Sequence, residues 1–369
     1  MSVAIDRIVN VANMSPADSN EVDKKTPPQQ EPTQEYKKPS SDDNVIDLPV
    51  QRKSSTIEIL KSRPSTNFVL SDDLLPVLDE QYELIEMLGS GGMANVFKAQ
   101  KDGLYFALKL LKDELLDKKR LLRFRNEIVV MKKFNLHPNI ISIVDSGSYM
   151  GRPCIVEEFA DGGSLHERMK VIHLNEFIEY MVQVSGALNF VHKNGYIHRD
   201  LKPGNIFLSG NIAKLGDFGV TKIIDSINME DRITSEGIVL GTLEYVSPEE
   251  AHQILEPVDD YVQTVHADIY SLGVILYKGL TGQFPIQIKK GNNKQVNVIV
   301  ALKSISTVQP KSISELNPNI NTQLDATVMK LLEKDPQVRA RFFNDALAVT
   351  EKLAKHLNDG QILIEEKAA

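Results

Sequence analysis

The sequence predicts an α+β protein of two lobes, a small antiparallel β-sheet lobe with one helix followed by a larger α-helical lobe. Two observations predict it. Between Tyr82 and Phe159 the apolar residues fall in short or alternating runs bounded by Gly, Asp, Asn and Pro; after Ser164 they recur at three- and four-residue intervals. The strand-like runs are 82–88, 96–100, 104–111, 140–145 and 153–159. One helix interrupts them over 118–134, where Leu121, Phe124, Ile128, Met131 and Phe134 share a face. In the second half helices are expected at 177–193, 268–280 and 324–333, with short strands at 206–208 and 213–215. Residues 251–266 read as a surface loop.

Composition bounds the rest. A chain of 369 residues, 42% hydrophobic and 25% charged, can bury a sizeable core. Its 42 Lys and Arg against 50 Asp and Glu leave a net charge of -8, which repels a phosphate backbone, so no nucleic acid is expected as partner. The single cysteine, Cys154, rules out an intrachain disulfide and a thiolate zinc cluster, and fits a reducing compartment. No apolar run has the length of a membrane span, and Asp6, Arg7 and Asn10 interrupt what a signal peptide would need. A cytoplasmic protein is expected. Residues 15–41 are Pro, Gln, Glu, Lys, Asp and Ser with almost no aliphatics, too polar to offset the entropy of ordering. Residues 42–80 carry more Ile, Leu and Val, and with the preceding stretch they make a largely disordered leader, 1–80.

Several residues are out of place for a bland globular chain. Gly89, Ser90, Gly91 and Gly92 lie between two strands, where glycine lets backbone amides approach an anion. Alone this is also what a hairpin looks like. It is no dinucleotide fingerprint, because a strand and not a helix follows. Lys109 sits in an otherwise apolar strand on the face of Ala107, so it either reaches out at an edge or meets an anion. Glu127 falls on the apolar stripe of its helix, and a Lys109–Glu127 ion pair accounts for both misplaced charges. His198, Arg199, Asp200, Lys202 and Asn205 crowd eight positions that end in a strand, and Asp217 follows another short apolar stretch. Carboxylate and amide oxygens together with phosphate suit a hard Mg²⁺ ion.

The ordered series of glycine loop, Lys109, Glu127, H-R-D with Asn205, D-F-G at Asp217 and S-P-E at Ser247 resembles the signature set of the eukaryotic-like (Hanks-type) serine/threonine protein kinases, over residues 80 to about 355. Met93 in the glycine loop, and Asp335-Pro336 followed by Arg339, resemble bacterial members most. The resemblance implies a bilobal protein-kinase-like fold over 81–358, with lobes at 81–160 and 161–358 and a short tail at 359–369. It implies ATP and Mg²⁺ as cofactors and transfer of the γ-phosphate to Ser or Thr hydroxyls of protein substrates. Position by position it implies that Gly89, Ser90, Gly91 and Gly92 cover the phosphates and that Lys109, paired with Glu127, holds two of them. Asp200 would handle the proton of the substrate hydroxyl, Lys202 would steady the γ-phosphate, and Asn205 and Asp217 would bind metal. Leu88, Val96, Ala107 and Phe207 would sandwich the adenine, with Ser164 near the ribose. Asp268 would anchor the H-R-D loop, and Glu249 and Arg339 would form a buried pair.

Lys202 and Thr242 point to the serine/threonine branch. Arg199 would receive a phosphate added at Thr234 or Ser235, so autophosphorylation is expected, with a second copy of the chain as partner if it acts in trans. Two positions depart from the pattern. Ala94 replaces the third glycine, and Glu157 stands behind the adenine, where a large apolar residue is usual, with Lys109 or water as its expected partner. The alternatives from other classes are a nucleotide-binding pseudokinase scaffold, a small-molecule kinase and an adaptor built on the leader. The presence of Lys109, Asp200 and Asp217 argues against the first, and the complete segment from H-R-D to S-P-E argues against the second.

Overall fold

The computed structural model describes residues 76–91, 94–112, 118–218, 243–258, 261, 263–288 and 294–360, with backbone alone at 118–123, 126–127 and 294–295. Five strands form one antiparallel sheet: β1 (Glu83–Ser90), β2 (Ala94–Lys101), β3 (Leu104–Leu111), β4 (Ile143–Tyr149) and β5 (Arg152–Glu158), in the spatial order β1-β2-β3-β5-β4. Two of its hairpins close through two residues at positive φ. These are Asp102 (51°) with Gly103 (78°), and Met150 (48°) with Gly151 (70°), the backbone twist that suits flanking strands. Methionine is uncommon in that region, and Asp79 holds it there by accepting the Met150 N–H at 2.7 Å.

The chain before β1 is tied to the sheet edge. Ser148 on β4 donates to Pro76 O at 2.8 Å and accepts from Leu78 N at 2.9 Å, and Leu78 is buried. Its side chain packs with Leu84, Phe97, Leu108, Leu110, Cys154 and Val156 in the core of the sheet. Burial pushes the Cys154 thiol up to about 12, so it behaves as a small apolar side chain rather than as a nucleophile.

The sheet's other face carries α1 (Lys118–Phe134), whose Phe124, Met131 and Phe134 enter the main core. That core belongs mostly to the helical lobe. At its centre lie α3 (Leu174–Lys193), preceded by the single turn α2 (Leu165–Arg168), and later α5 (Val265–Thr281); both long helices are buried on most sides. Between them come the hairpin β6 (Ile206–Ser209) and β7 (Ile212–Leu215), then α4 (Pro248–Leu255). Around them pack α6 (Lys294–Thr307), α7 (Ile313–Leu316), α8 (Thr322–Leu331), α9 (Pro336–Phe342) and α10 (Ala346–Asn358). Side chains start several of these helices. Asn321, Asp335 and Asp345 each accept a first-turn N–H of α8, α9 and α10, and Ser247 with Glu250 closes a capping box on α4.

Two expectations change. The strand expected at 140–145 is Ile143–Tyr149, because Ile140 instead bridges Leu215 of the hairpin, while Ser146, Gly147 and Ser148 pair with β5 despite their polarity. The stretch 251–266 is not one loop. Residues 251–255 complete α4 and 265–266 open α5, since the Ser247-Pro248 start drives the helix on past Ala251.

Candidate active site

A cavity of about 370 Å³ opens between the sheet lobe and the helical lobe. Leu88 and Gly89 of β1, Val96 of β2, Ala107 and Lys109 of β3, and Phe207 of β6 line it together with Ser164 and Asp217. Strand alternation puts Ala107 and Lys109 on this face, while Leu108 and Leu110 fill the sheet core. The same alternation on β5 puts Cys154 and Val156 in that core and turns Glu157 to the cavity.

Lys109, 8% exposed, donates to Glu157 Oε1 at 2.9 Å and to Asp217 Oδ1. Glu157, 3% exposed, thus has a charged partner where it is buried. Burial pushes its carboxyl up, Lys109 draws it back, and the nearby Asp217 adds to the rise; the net direction is up. The side chain of Glu127, on α1, lies outside the described residues, and so does Gly92. Ser90 ends β1 opposite Asn95 and Gly91 follows it, Ser90 Oγ donating to Asn95 Oδ1 at 2.8 Å and Gly91 N to Ala94 O at 2.9 Å.

Below the sheet lobe the segment before β6 is held by its own hydrogen bonds. Lys202 Nζ donates to Asp200 Oδ2 at 2.8 Å, and Asn205 Nδ2 donates to Asp200 O at 2.8 Å and to Asp200 Oδ2 at 3.1 Å. With its amide N–H groups on Asp200, Asn205 keeps Oδ1 as an acceptor. Gly216 N donates to Asn205 O at 2.9 Å, which ties the D-F-G stretch to this segment. Arg199 and Asp217 adopt positive φ, 66° and 54°, so Asp200 directly follows one backbone kink and Asp217 forms another.

His198 is the hinge of the arrangement. Its Nδ1 accepts the Asp200 N–H at 3.3 Å, and its Nε2 faces Gly216 O at 3.0 Å, a pairing that only the neutral Nε2–H tautomer satisfies. Burial lowers its pKa, against the opposing pull of Asp268, and the neutral form follows. Phe218 packs on His198 and Phe134 with ring centroids 4.8 and 5.4 Å apart, which couples the D-F-G stretch to α1.

Asp268 accepts the backbone N–H of His198 at 2.8 Å and of Arg199 at 3.0 Å, and its Oδ2 lies 2.8 Å from His192 Nε2. Arg339, fully buried, pairs with Glu249 through Nη2 and donates to His266 O at 3.1 Å and Glu333 O at 2.5 Å. The expected anchor and the expected buried pair are both present. Thr234, Ser235 and Thr242 lie outside the described residues.

Sequence reasoning passed over Ile141, Glu158, Phe159, Ala160, Asp161, Gly163, Glu167 and Gly204, which complete the wall. A signal for one of them was present. Ser164 and Glu167 have capping-box spacing, and Glu167 Oε2 accepts from both the amide and hydroxyl of Ser164 at 2.8 and 2.9 Å. Glu158 ends β5 with its carboxylate taken up by Ser142 N and Lys214, Gly204 precedes β6, Ile141 precedes β4, and the rest follow β5, where side-chain chemistry gives little notice of a site.

Similar proteins include several bacterial serine/threonine-protein kinases. A probable serine/threonine-protein kinase of Clostridium perfringens is 33% identical over 302 residues, covering 79% of this chain and 41% of that protein. The serine/threonine-protein kinase PknB of Mycobacterium leprae is 37% identical over 279 residues, covering 72% and 41%. PrkC of Bacillus subtilis is 33% identical over 296 residues, covering 78% and 43%. This chain therefore spans about two fifths of the length of the curated relatives it matches. Among solved structures, the PknI kinase domain of Mycobacterium tuberculosis superposes with a TM-score of 0.52 at 23% identity, covering 79% of this chain and 98% of that one. It shares the fold. The profile of the protein kinase domain matches residues 82–350, and the chain belongs to the protein kinase family.

Proposed function

We propose that the protein is an ATP-dependent serine/threonine protein kinase that acts on protein substrates, with autophosphorylation in its activation segment. The observation that carries this reading is the convergence of Lys109 and Asp217 at one cavity wall with Asp200, Lys202 and Asn205 bonded together beside it. Phosphoryl transfer asks for alignment and charge neutralisation more than covalent chemistry, and this set supplies both.

Leu88, Val96, Ala107 and Phe207 form the apolar walls that suit a purine, and Ser164 lies where a ribose would follow. Gly89, Ser90, Gly91 and Gly92 cover the phosphates, and Lys109 binds two of them, with Glu127 as a further carboxylate for that lysine. The substrate hydroxyl oxygen attacks the γ-phosphorus, the bond to the β,γ-bridging oxygen breaks, ADP leaves, and Asp200 orients or takes the hydroxyl proton. Lys202, at 2.8 Å from Asp200, sits where it offsets charge on the transferring group.

Asn205 Oδ1 and the Asp217 carboxylate are hard oxygen donors of the type that fits Mg²⁺ beside phosphate. When bound, the ion neutralises charge across the β- and γ-phosphates. Lys202 and Thr242 favour Ser and Thr as acceptors. Among the described residues no helix is long and apolar enough to cross a membrane. A cytoplasmic site of action is supported by the free, buried Cys154.

The test is transfer of labelled γ-phosphate to a generic basic protein and to the enzyme itself, by the parent chain and by Asp200→Asn. A fall of about 10²–10⁴-fold in rate with ATP binding intact supports the reading. Equal rates in the two proteins would refute it.

A further inference from the structure

The cavity wall contains a charge that phosphoryl transfer does not call for. Glu157 is 3% exposed, and its carboxyl sits 2.9 Å from Lys109 Nζ. The sheet register explains why they meet. Lys109 lies opposite Ile155 and Ala107 opposite Glu157, so Lys109 and Glu157 are diagonal neighbours on one face of adjacent, hydrogen-bonded strands. The contact therefore stays within one sheet. A lysine stem has four rotatable bonds, and a buried partner on the next strand restricts them to the rotamers that aim Nζ into the cavity.

We infer that Glu157 is a positioning residue for Lys109, a counter-group built into the sheet that sets the lysine for nucleotide phosphate independently of where α1 lies. The inference rests on the kinase reading above for what Lys109 does. A carboxyl on α1, such as Glu127, reaches Lys109 only when that helix is docked. Glu157 is in place whenever β3 and β5 are paired, which is a condition of the sheet itself. The second carboxylate on Lys109, Asp217, comes from a kinked segment and is the one that bound nucleotide and metal would draw away. With Glu157 removed, Lys109 would lose the partner that the sheet register supplies.

The experiment measures the Kd for ATP, with Mg²⁺, by direct titration of the full chain, and in parallel kcat and KM for ATP. Parent, Glu157→Gln, Glu157→Asp, Glu157→Met and Glu127→Gln are compared. Glu157→Gln is expected to raise Kd and KM about tenfold, and Glu157→Asp to recover part of that loss. Glu127→Gln is expected to raise them by a smaller factor. A loss of folded molecules lowers kcat at constant KM, so the KM change separates positioning from damage. If Glu157→Gln does not fold, Glu157→Met fills the same space without the carboxyl and carries the same expectation. Unchanged or tighter ATP binding in these variants would overturn the inference, as would a larger effect from Glu127→Gln. Absence of phosphate transfer by the parent chain would instead count against the kinase reading, while the binding titration would still judge Glu157.

Discussion

Asp268, in the first turn of α5, accepts the backbone N–H of His198 at 2.8 Å across seventy residues of chain, and the segment holding Asp200 hangs from that bond. The second carboxylate oxygen takes the Arg199 N–H, and His192 completes the set. Burial alone would raise the Asp268 pKa, but the bonds from His192 and His198 outweigh it and the net shift is downward. Asp268→Asn is therefore expected to lower kcat at least tenfold while moving KM for ATP little, because the loop that holds Asp200 loses a charged anchor. A depressed native pKa means that the unfolded chain protonates first as pH falls. The stabilisation is thus full above the ordinary carboxylate range and lost on acidification through the native value. Melting temperatures of parent and variant should converge as pH drops from about 5 to 3. A constant difference would show that the ionised carboxylate is not the anchor.

Glu250 works in the opposite sense. It is buried beside Glu249, accepts from Ser247 N and Oγ and from Gln263 Nε2, and burial pushes its carboxyl up to about 7. Between about pH 4.5 and 7 the unfolded chain gives up this proton and the native one does not, so stability falls as pH rises through that window. Glu250→Gln keeps hydrogen-bonding capacity without the charge. It should be more stable than the parent by about 1–3 kcal/mol at pH 8 and gain nothing below about pH 4.5, as read by urea unfolding. A variant that is less stable at pH 8 would mean that the ionised form is well solvated in place.

Arg339 has no exposed surface, its guanidinium donates to three partners, Glu249, His266 O and Glu333 O, and its Cζ lies 5.4 Å from the Tyr270 ring centroid. Arg339→Ala leaves Glu249 without this cation and removes the guanidinium N–H groups from the His266 and Glu333 carbonyls, and should cost about 3–5 kcal/mol. Arg339→Lys should recover only part, since a single ammonium cannot reproduce the planar fork. Denaturant midpoints decide the matter. A loss below about 1 kcal/mol for the alanine variant would show that the pair does not tie α4 to α9.

Gly279 lets α5 approach α3. A Cβ added there would come within 2.2 Å of Phe177 Cζ and 2.3 Å of Cε1. Alanine is the better helix former by about 1 kcal/mol, but overpacking at such a contact costs about 1–3 kcal/mol. Gly279→Ala should therefore lower the melting temperature, and pairing it with Phe177→Leu should return part of the loss. A stabilised single variant would show that the two helices separate freely.

The elements legible in the sequence were those whose own side chains repeat. The runs at 104–111 and 118–134 coincide with β3 and α1, because alternation and a three-to-four residue stripe are local properties. The helices α4, α6, α9 and α10 had no separate prediction. Short helices such as α4 and α9 depend on caps and on packing more than on periodicity, and Ser247-Pro248 and Asp335-Pro336 were weak local notice of them. Within the site, Lys109 and the crowded segment from His198 to Asn205 stood out as polar residues in apolar surroundings. The loop residues Phe159, Ala160 and Gly163 had no such contrast, and their place in the wall depends on where β5 ends.

The order and types of the chemical residues are properties of the linear chain, and from them alone followed two lobes, a phosphate-handling site and the resemblance to protein kinases. The Glu249–Arg339 pair and the Asp268 anchor were expected only through that resemblance, and what brings these partners together, like Glu157 and Lys109, is tertiary. Glu157 and Lys109 are joined by a strand register, His198 and Asp268 by the packing of α5 under a loop, and Glu249 and Arg339 by a contact across ninety residues. Each of these pairs depends on several elements being in place at once, and a charge distant in sequence becomes a partner only when folding excludes the water that would otherwise have served it.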